Sequence, residues 1–305
     1  MTFGKPLLTV FTPAYNRAHT LARTYESLCR QTSKNFEWLI IDDGSKDNTK
    51  EIVEGWLRES KIPIRYIRQE NQGMHGAHNT AYRNIDTELN VCIDSDDAMP
   101  EDAVEKIVSF WESHKSDKDK FAGFVGLDKD LTTGKIIGTE FDREKTTLQG
   151  FYERGGKGDK KLVYRTDVIS RYPEYPLFEN ERYVGLAYKY MLIDQDYELL
   201  TINEPLVLVE YQLDGSSVNM YRQYWRNPRG FGFFRKTEMQ CTKSLKRRFI
   251  VCAHYVSSSV ISRNRHFLKE SPQKLMTLLS IPAGLMLYCL IKHSIRKDKK
   301  MRIGR

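Results

Sequence analysis

Asp94-Ser95-Asp96-Asp97 places three carboxylates within four residues, directly behind the apolar run LNVCID at 89–94. Carboxylates this close repel one another unless a cation neutralises them. An oxygen-ligated Mg²⁺ or Mn²⁺ suits such a set, and these ions usually complete their coordination with substrate phosphates. The plainer alternative is an acidic helix entry, with Asp97 capping a helix that begins near Pro100. Position favours the metal, because two further polar clusters stand at equivalent places.

One of them, Asp42-Asp43-Gly44-Ser45, ends the run FEWLIID. It reads either as a tight Asp-Gly turn or as a pair of acceptors for a bound ligand. The other, Thr12-Pro13-Ala14-Tyr15-Asn16-Arg17, ends LLTVFT. Tyr15 there is either a packing residue or a ring on which a nucleobase stacks.

Short β-rich runs alternate with helical spacing through the first 115 residues. Strands are expected at 7–12, 36–42, 62–68 and 89–94. Helices are expected at 17–31, 48–60, 73–85 and 100–114, the last with Pro100 and two acids in its first turn. This order predicts an α/β fold, a mostly parallel sheet with helices on both faces. Ligands of such sheets sit beyond the carboxyl ends of the strands. The three clusters therefore converge on one edge. Further strands are expected at 121–125, 135–139, 162–169 and 199–211.

The net charge of +8 averages two opposite regions. Residues 1–218 carry 28 basic and 37 acidic side chains, and 219–305 carry 20 and 3. We divide the chain accordingly: a catalytic domain at 1–218, with halves at 1–115 and 116–218, and a basic helical extension at 219–305. Five scattered cysteines in no CxxC pattern point to a reducing compartment rather than a disulfide framework or zinc site. No secretory signal is read ahead of the first strand.

Four segments in order, TVFTPAYNRAHTLARTYESLCRQT, FEWLIIDDGSKDNT, ENQGMHGAHNTAYRN and VCIDSDD, resemble the family 2 glycosyltransferases with the GT-A fold. The resemblance covers roughly residues 6–115. It implies a nucleotide-diphosphate-sugar donor, UDP-linked, whose sugar passes to a hydroxyl with inversion. Tyr15, with Thr12 and Pro13, would lie against the base and ribose. Asp43, with Asp42, would accept hydrogen bonds from the base. Asp94 and Asp96 would form the DxD around Ser95, touching the ribose and holding Mn²⁺ or Mg²⁺ on the diphosphate, with Asp97 as a third carboxylate. A loop residue, His75 or His78, would help the phosphates, unless both are hydrogen-bonded structural histidines.

The mechanism read from chemistry agrees. A divalent cation stabilises the leaving diphosphate without proton transfer, and the acceptor hydroxyl needs a general base. In the family this base is a carboxylate downstream of the DxD. Leu177–Val184 offers Glu181 first and Glu179 second, with Asp194 a distant third; Asn180 stands where the family often has Asp. Tyr211–Ser217 resembles a segment that closes the nucleotide site. Gln223-Tyr224-Trp225-Arg226 holds the residues of a processive-synthase signature at the wrong spacing, which favours single addition.

The basic third carries Leu275–Ile291, seventeen residues without a charge but interrupted by Pro282 and Gly284, followed by a basic tail. An interfacial segment on an anionic, cytoplasmic membrane face fits better than a bilayer span. The expected acceptor is a lipid-linked saccharide, and no RNA-binding motif accompanies the charge. Two alternatives are a sugar-nucleotide nucleotidyltransferase, which lacks its glycine-rich loop here, and an inactive membrane-docked binding module.

Overall fold

The computed structural model describes residues 5–114, 116–210 and 220–303, with side chains to 297. Its elements in chain order are β1 (Leu8–Ala14), α1 (Leu21–Cys29), β2 (Phe36–Asp42), α2 (Thr49–Glu59), β3 (Ile64–Arg68), α3 (Met74–Asn84), β4 (Leu89–Cys92) and α4 (Ala103–Ser113). There follow β5 (Phe121–Asp130), β6 (Lys145–Thr146), α5 (Leu148–Glu153), β7 (Lys160–Arg165), α6 (Thr166–Ile169), α7 (Ala187–Ile193) and β8 (Glu198–Val209). Six helices close the chain: α8 (Met220–Arg226), α9 (Pro228–Cys241), α10 (Leu245–Ile261), α11 (Phe267–Glu270), α12 (Lys274–Leu279) and α13 (Ile281–Ile303).

The eight strands form one sheet in the order β3-β2-β1-β4-β7-β5-β8-β6. The β3-β2-β1-β4 half is parallel. Beyond it the sheet is mixed: β7 runs antiparallel to β4 and β5, β5 and β8 are parallel, and β6 is antiparallel to β8. Alternation along β1 covers both faces. Leu8, Val10 and Ala14 join Leu21, Tyr25 and Leu28 of α1, Trp56 of α2 and Trp111 of α4 in one core. Phe11 points the other way, edge-on to His78 and Tyr82 of α3.

Several boundaries differ from expectation, each for a local reason. The first helix starts at Leu21, because the amides of Arg17 and Ala18 are bound by Thr49 Oγ1 and Asp47 Oδ2. No strand forms at 135–139; one bridge joins Ile136 to Lys129, and the buried Lys160 ammonium donates to the carbonyls of Ile137, Lys157 and Asp159. The strand expected at 162–169 ends at Arg165, where α6 begins. The uncharged run near the C-terminus is two helices, and among the described residues no helix is long and apolar enough to cross a membrane.

The chain divides into two compact units, 1–174 with 193–211, and 175–192 with 212–305. The charge split at 218 leaves 175–192 in the first region, whereas this segment packs within the second unit. Glu181 shows why: it is tied to the start of α9. In the second unit α13 runs along α10. A Cβ at Gly284 would meet Val256 at 2.5 Å and the Ala253 carbonyl at 2.8 Å, so only glycine permits this approach.

Candidate active site at the sheet edge

β1 pairs in parallel with both β2 and β4, so all three end at the same edge. The loops beyond them are laced together. The Asn16 amide donates to Ser45 Oγ at 2.9 Å, and Asn16 Oδ1 accepts from the Lys46 amide at 2.8 Å. Arg23 Nη1 donates to the Asp96 carbonyl at 3.1 Å and pairs with Glu210 at 2.6 Å. Tyr15 is left 43% exposed, an aromatic face open to a ligand. Thr12 and Pro13 are buried, and Thr12 Oγ1 accepts from Trp38 Nε1, so that hydroxyl belongs to the core rather than to a ligand.

The Asp42-Asp43 pair separates into two tasks. Asp42 is fully buried; it accepts from the Ser45 amide at 2.8 Å and from Tyr66 Oη at 2.5 Å, and Arg68 lies 3.5 Å away. Burial, then the bond to Asp42, pushes the Tyr66 phenol above its usual range. Asp42 thus closes the turn. Asp43 reaches across to the loop ahead of α3, accepting from Gln69 Nε2, the Gln72 amide and the Gly73 amide, each at 2.8 Å. Gly44 has φ of +79°, and a Cβ there would meet the Asn71 amide at 3.0 Å.

His75 and His78 lie buried in α3. His78 contacts Tyr82 Oη at 3.2 Å and Cys92 Sγ at 3.6 Å, the bonds of a core histidine.

At the end of β4 the acids also diverge. Asp94 is exposed, Asp96 half-buried, and Ser95 and Asp97 buried. The dense surroundings of Asp94 raise its carboxyl pKa chiefly by desolvation; Lys161 opposes the shift and Asp96 adds to it. Desolvation pushes Asp97 up to about 8, with Lys161 again opposing and Asp94, Asp96 and Asp128 reinforcing. Among the described residues no three His, Cys, Asp or Glu side chains gather as metal ligands. Asp97, only 4% exposed, therefore does not join Asp94 and Asp96 as the expected third ligand. One or two oxygen ligands with the remainder from phosphate is a set that suits Mg²⁺ or Mn²⁺, and Asp94 and Asp96 are the residues that would supply it.

The proton acceptors expected downstream differ sharply. Glu181 is buried, and both its oxygens are held at the start of α9. Oε1 accepts from the Arg229 amide and Nε, each at 3.0 Å, and Oε2 from the Gly230 amide at 2.8 Å. These are N-terminal donors that a helix cannot satisfy internally. Glu181 is a cap and the partner of Arg229, so both oxygens of the first-ranked candidate base already have donors. Glu179 is exposed, and among the described residues its carbonyl is engaged by Arg229. Asp194 accepts from the amides of Leu148 and Gln149 at the start of α5, and burial, opposed by those bonds, pushes it up to about 6. Tyr211–Ser217 lies outside the described residues.

The model of the family described as glycosyl transferase family 2 matches residues 9–169, more than half of the chain. The chain belongs to glycosyl transferase family 2. This glycosyltransferase is 26% identical over 214 residues to the UDP-Glc:alpha-D-GlcNAc-diphosphoundecaprenol beta-1,3-glucosyltransferase WfgD of Escherichia coli, covering 70% of the chain and 79% of WfgD. It is 30% identical over 180 residues to the glycosyltransferase GlyG of Streptococcus pneumoniae, covering 57% of each. Among solved structures, S. aureus TarS in complex with UDP-GlcNAc aligns with a TM-score of 0.60 at 16% identity, over 95% of this chain and 92% of that one. The mannosyltransferase PcManGT of Pyrobaculum calidifontis, in complex with GDP-Man and Mn²⁺, aligns at 0.55 and 16%, over 98% and 83%. These likenesses agree with the GT-A fold.

Two residues of the glycosyltransferase's charge network escaped the sequence reading. Lys161 of β7 donates to the Cys92 carbonyl at 3.2 Å. Burial lowers its ammonium pKa, but Asp128, Asp94 and Asp97 together outweigh that and hold it above the usual range. Asp128 of β5 is 2% exposed, and among the described residues its Oδ1 has no hydrogen-bond partner. Desolvation raises Asp128, and Lys161 is the principal opposing charge. The signal was present: a carboxylate directly behind the apolar run FAGFVGL and an ammonium directly ahead of LVY, each in a strand whose other members are mostly buried.

Proposed function

We propose that this glycosyltransferase moves a sugar from a UDP-linked donor to a hydroxyl of a lipid-linked saccharide, one residue per encounter and with inversion. The observation that carries the reading is the shared edge of β1, β2 and β4, at which exposed Tyr15, the loop gripped by Asp43 and exposed Asp94 all stand. An open aromatic face suits a base, and carboxylates at the same edge suit a metal-bound diphosphate. WfgD, by its name, works on a UDP sugar and a diphosphoundecaprenol-linked acceptor, and TarS was crystallised with UDP-GlcNAc.

Asp94 and Asp96 are the residues that would hold Mn²⁺ or Mg²⁺, with Ser95 between them. PcManGT with Mn²⁺ gives this choice precedent on the same fold. A bound divalent ion supplies positive charge to the departing diphosphate. For the base we favour Glu179 over Glu181, because the Glu179 carboxylate is exposed while that of Glu181 is committed to α9. A single displacement, in which Glu179 takes the acceptor proton as the hydroxyl oxygen bonds the anomeric carbon and UDP leaves, inverts that centre. The basic 219–305 region would bring the enzyme to the inner face of the cell membrane, where such an acceptor lies.

A thermal-shift panel of UDP-, GDP- and dTDP-sugars with and without Mn²⁺ tests the reading, since ligand bound to the native state raises the apparent Tm. A Mn²⁺-dependent rise selective for UDP-sugars is expected. A flat panel would reject the donor site.

A further inference from the structure

We infer that α12 and the first half of α13 form an apolar stripe that inserts into the interface of an anionic lipid bilayer, lying in its plane. The proposal deepens the membrane reading above and rests on it for the identity of the surface. Leu275, Leu278, Leu279, Pro282, Leu285, Met286, Cys289 and Leu290 are all exposed. Leu275 keeps 70% of its surface, Leu279 and Met286 64% each. Their spacing of three, one, three, three, one, three and one is that of one helical face.

The face carries through the junction between the helices. Ser280 keeps right-handed helical geometry, its amide donates to the Met276 carbonyl at 2.9 Å, and its carbonyl accepts from Gly284 at 2.9 Å. The opposite face is already taken. Gly284 and Ile291 are buried, with Gly284 against Val256 and Ala253 of α10. Along 281–291 the helix is thus apolar on both sides, and only one side has protein against it. A helix apolar all round normally has both sides covered.

Charge selects the occupant. Between Glu270 and Asp298 there is no acidic residue, while Lys274 stands at one end of the stripe and Lys292, Arg296 and Lys297 at the other. Two copies meeting through this face by two-fold symmetry would set these cations against one another. Anionic headgroups would instead accept them, with the leucines beneath at the acyl boundary. No described helix is long and apolar enough to cross, so the stripe lies along the surface.

The test uses the whole chain and vesicles of phosphatidylcholine alone or with 30% phosphatidylglycerol. One variant replaces Leu275, Leu278, Leu279, Met286 and Leu290 with Gln; a second replaces Lys274, Lys292, Arg296 and Lys297 with Gln. All nine positions except Lys292 are exposed, so unchanged circular dichroism and Tm will show that each variant folds. Bimane on Cys289, with Cys289→Ser as blank, reports immersion.

We expect binding to the anionic vesicles, a blue shift at Cys289, and loss of at least tenfold in partitioning for each variant. Loss in the charge variant, with the leucine variant binding normally and no shift at Cys289, overturns the stripe but keeps charge-driven docking. No binding to either vesicle overturns both. A stable dimer in solution that the leucine variant dissociates, without vesicle binding, overturns the lipid assignment in favour of a second copy.

Discussion

The Asp43 carboxylate accepts the Gly73 amide at 2.8 Å and so joins the end of β2 to the start of α3. The same side chain holds Gln69 and the Gln72 amide, which makes it the clasp of the loop between β3 and α3. Asp43→Asn keeps the shape but turns one acceptor into a donor facing an amide. Losing a charge-assisted bond of this kind costs about 1.5–3 kcal/mol. We expect donor affinity to fall about tenfold or more, read by calorimetric titration, with a smaller drop in Tm. Unchanged affinity would separate the clasp from donor binding.

Glu179 and Glu181 should fail in different ways. Glu181→Gln removes the charge that meets Arg229 and the start of α9, so stability falls by about 1–3 kcal/mol in urea unfolding. Glu179→Gln leaves Tm in place and lowers kcat by about a hundredfold or more, the usual scale for losing a general base. If instead Glu181→Gln abolishes kcat at unchanged stability, the roles are reversed.

Lys161 is the opposing charge for Asp94, Asp97 and Asp128, and leaving buried polar groups uncompensated costs about 1–3 kcal/mol. Lys161→Met should therefore lower stability by that order. Replacing Asp128 with Leu in the same chain should restore part of it, because the two changes share a partner. Strict additivity of the two substitutions in a double-mutant cycle would show that the pair is not coupled.

His254 of α10 gives the helical unit a pH dependence. Burial, then Arg235, lowers its imidazole pKa to about 4, with Glu238 opposing and Arg247 adding. An unfolded histidine takes its proton near the usual 6.5. Between those values the unfolded state binds more protons, so stability falls as pH drops through the window. The loss should approach about 2 kcal/mol by pH 4, with the imidazole half-buried. His254→Phe, which preserves the edge contact with Tyr224, should flatten the slope between pH 6.5 and 4. An unchanged slope would assign it to another group.

Much of this architecture was legible from the residues. The alternating runs give β1 to β4 and the helices between them, because buried parallel strands and amphipathic helices write distinct periods into a sequence. The three strand-end clusters were legible for the same reason. What was not legible is which carboxylate in each cluster looks inward. Asp42 and Asp43 are both buried, one closing its own turn and the other holding the next loop, while Asp97 is buried and Asp94 exposed; neighbouring residues of one type carry no sign of these differences. Glu181 misled similarly, since its partner amides lie 48 and 49 residues away. The claim of Lys161 on the Cys92 carbonyl depends on β7 inserting antiparallel beside β4, a pairing that no local pattern announces.

The central claim is that Asp94 and its neighbours hold a metal-bound nucleotide diphosphate. Calorimetric titration of the intact chain with UDP-GlcNAc in Mn²⁺, repeated in EDTA and with Asp94→Asn, tests it most directly. Saturable binding is expected, and EDTA and Asp94→Asn should each weaken it by about tenfold or more, on the scale of a lost charged contact. Equal affinity in all three titrations would contradict it.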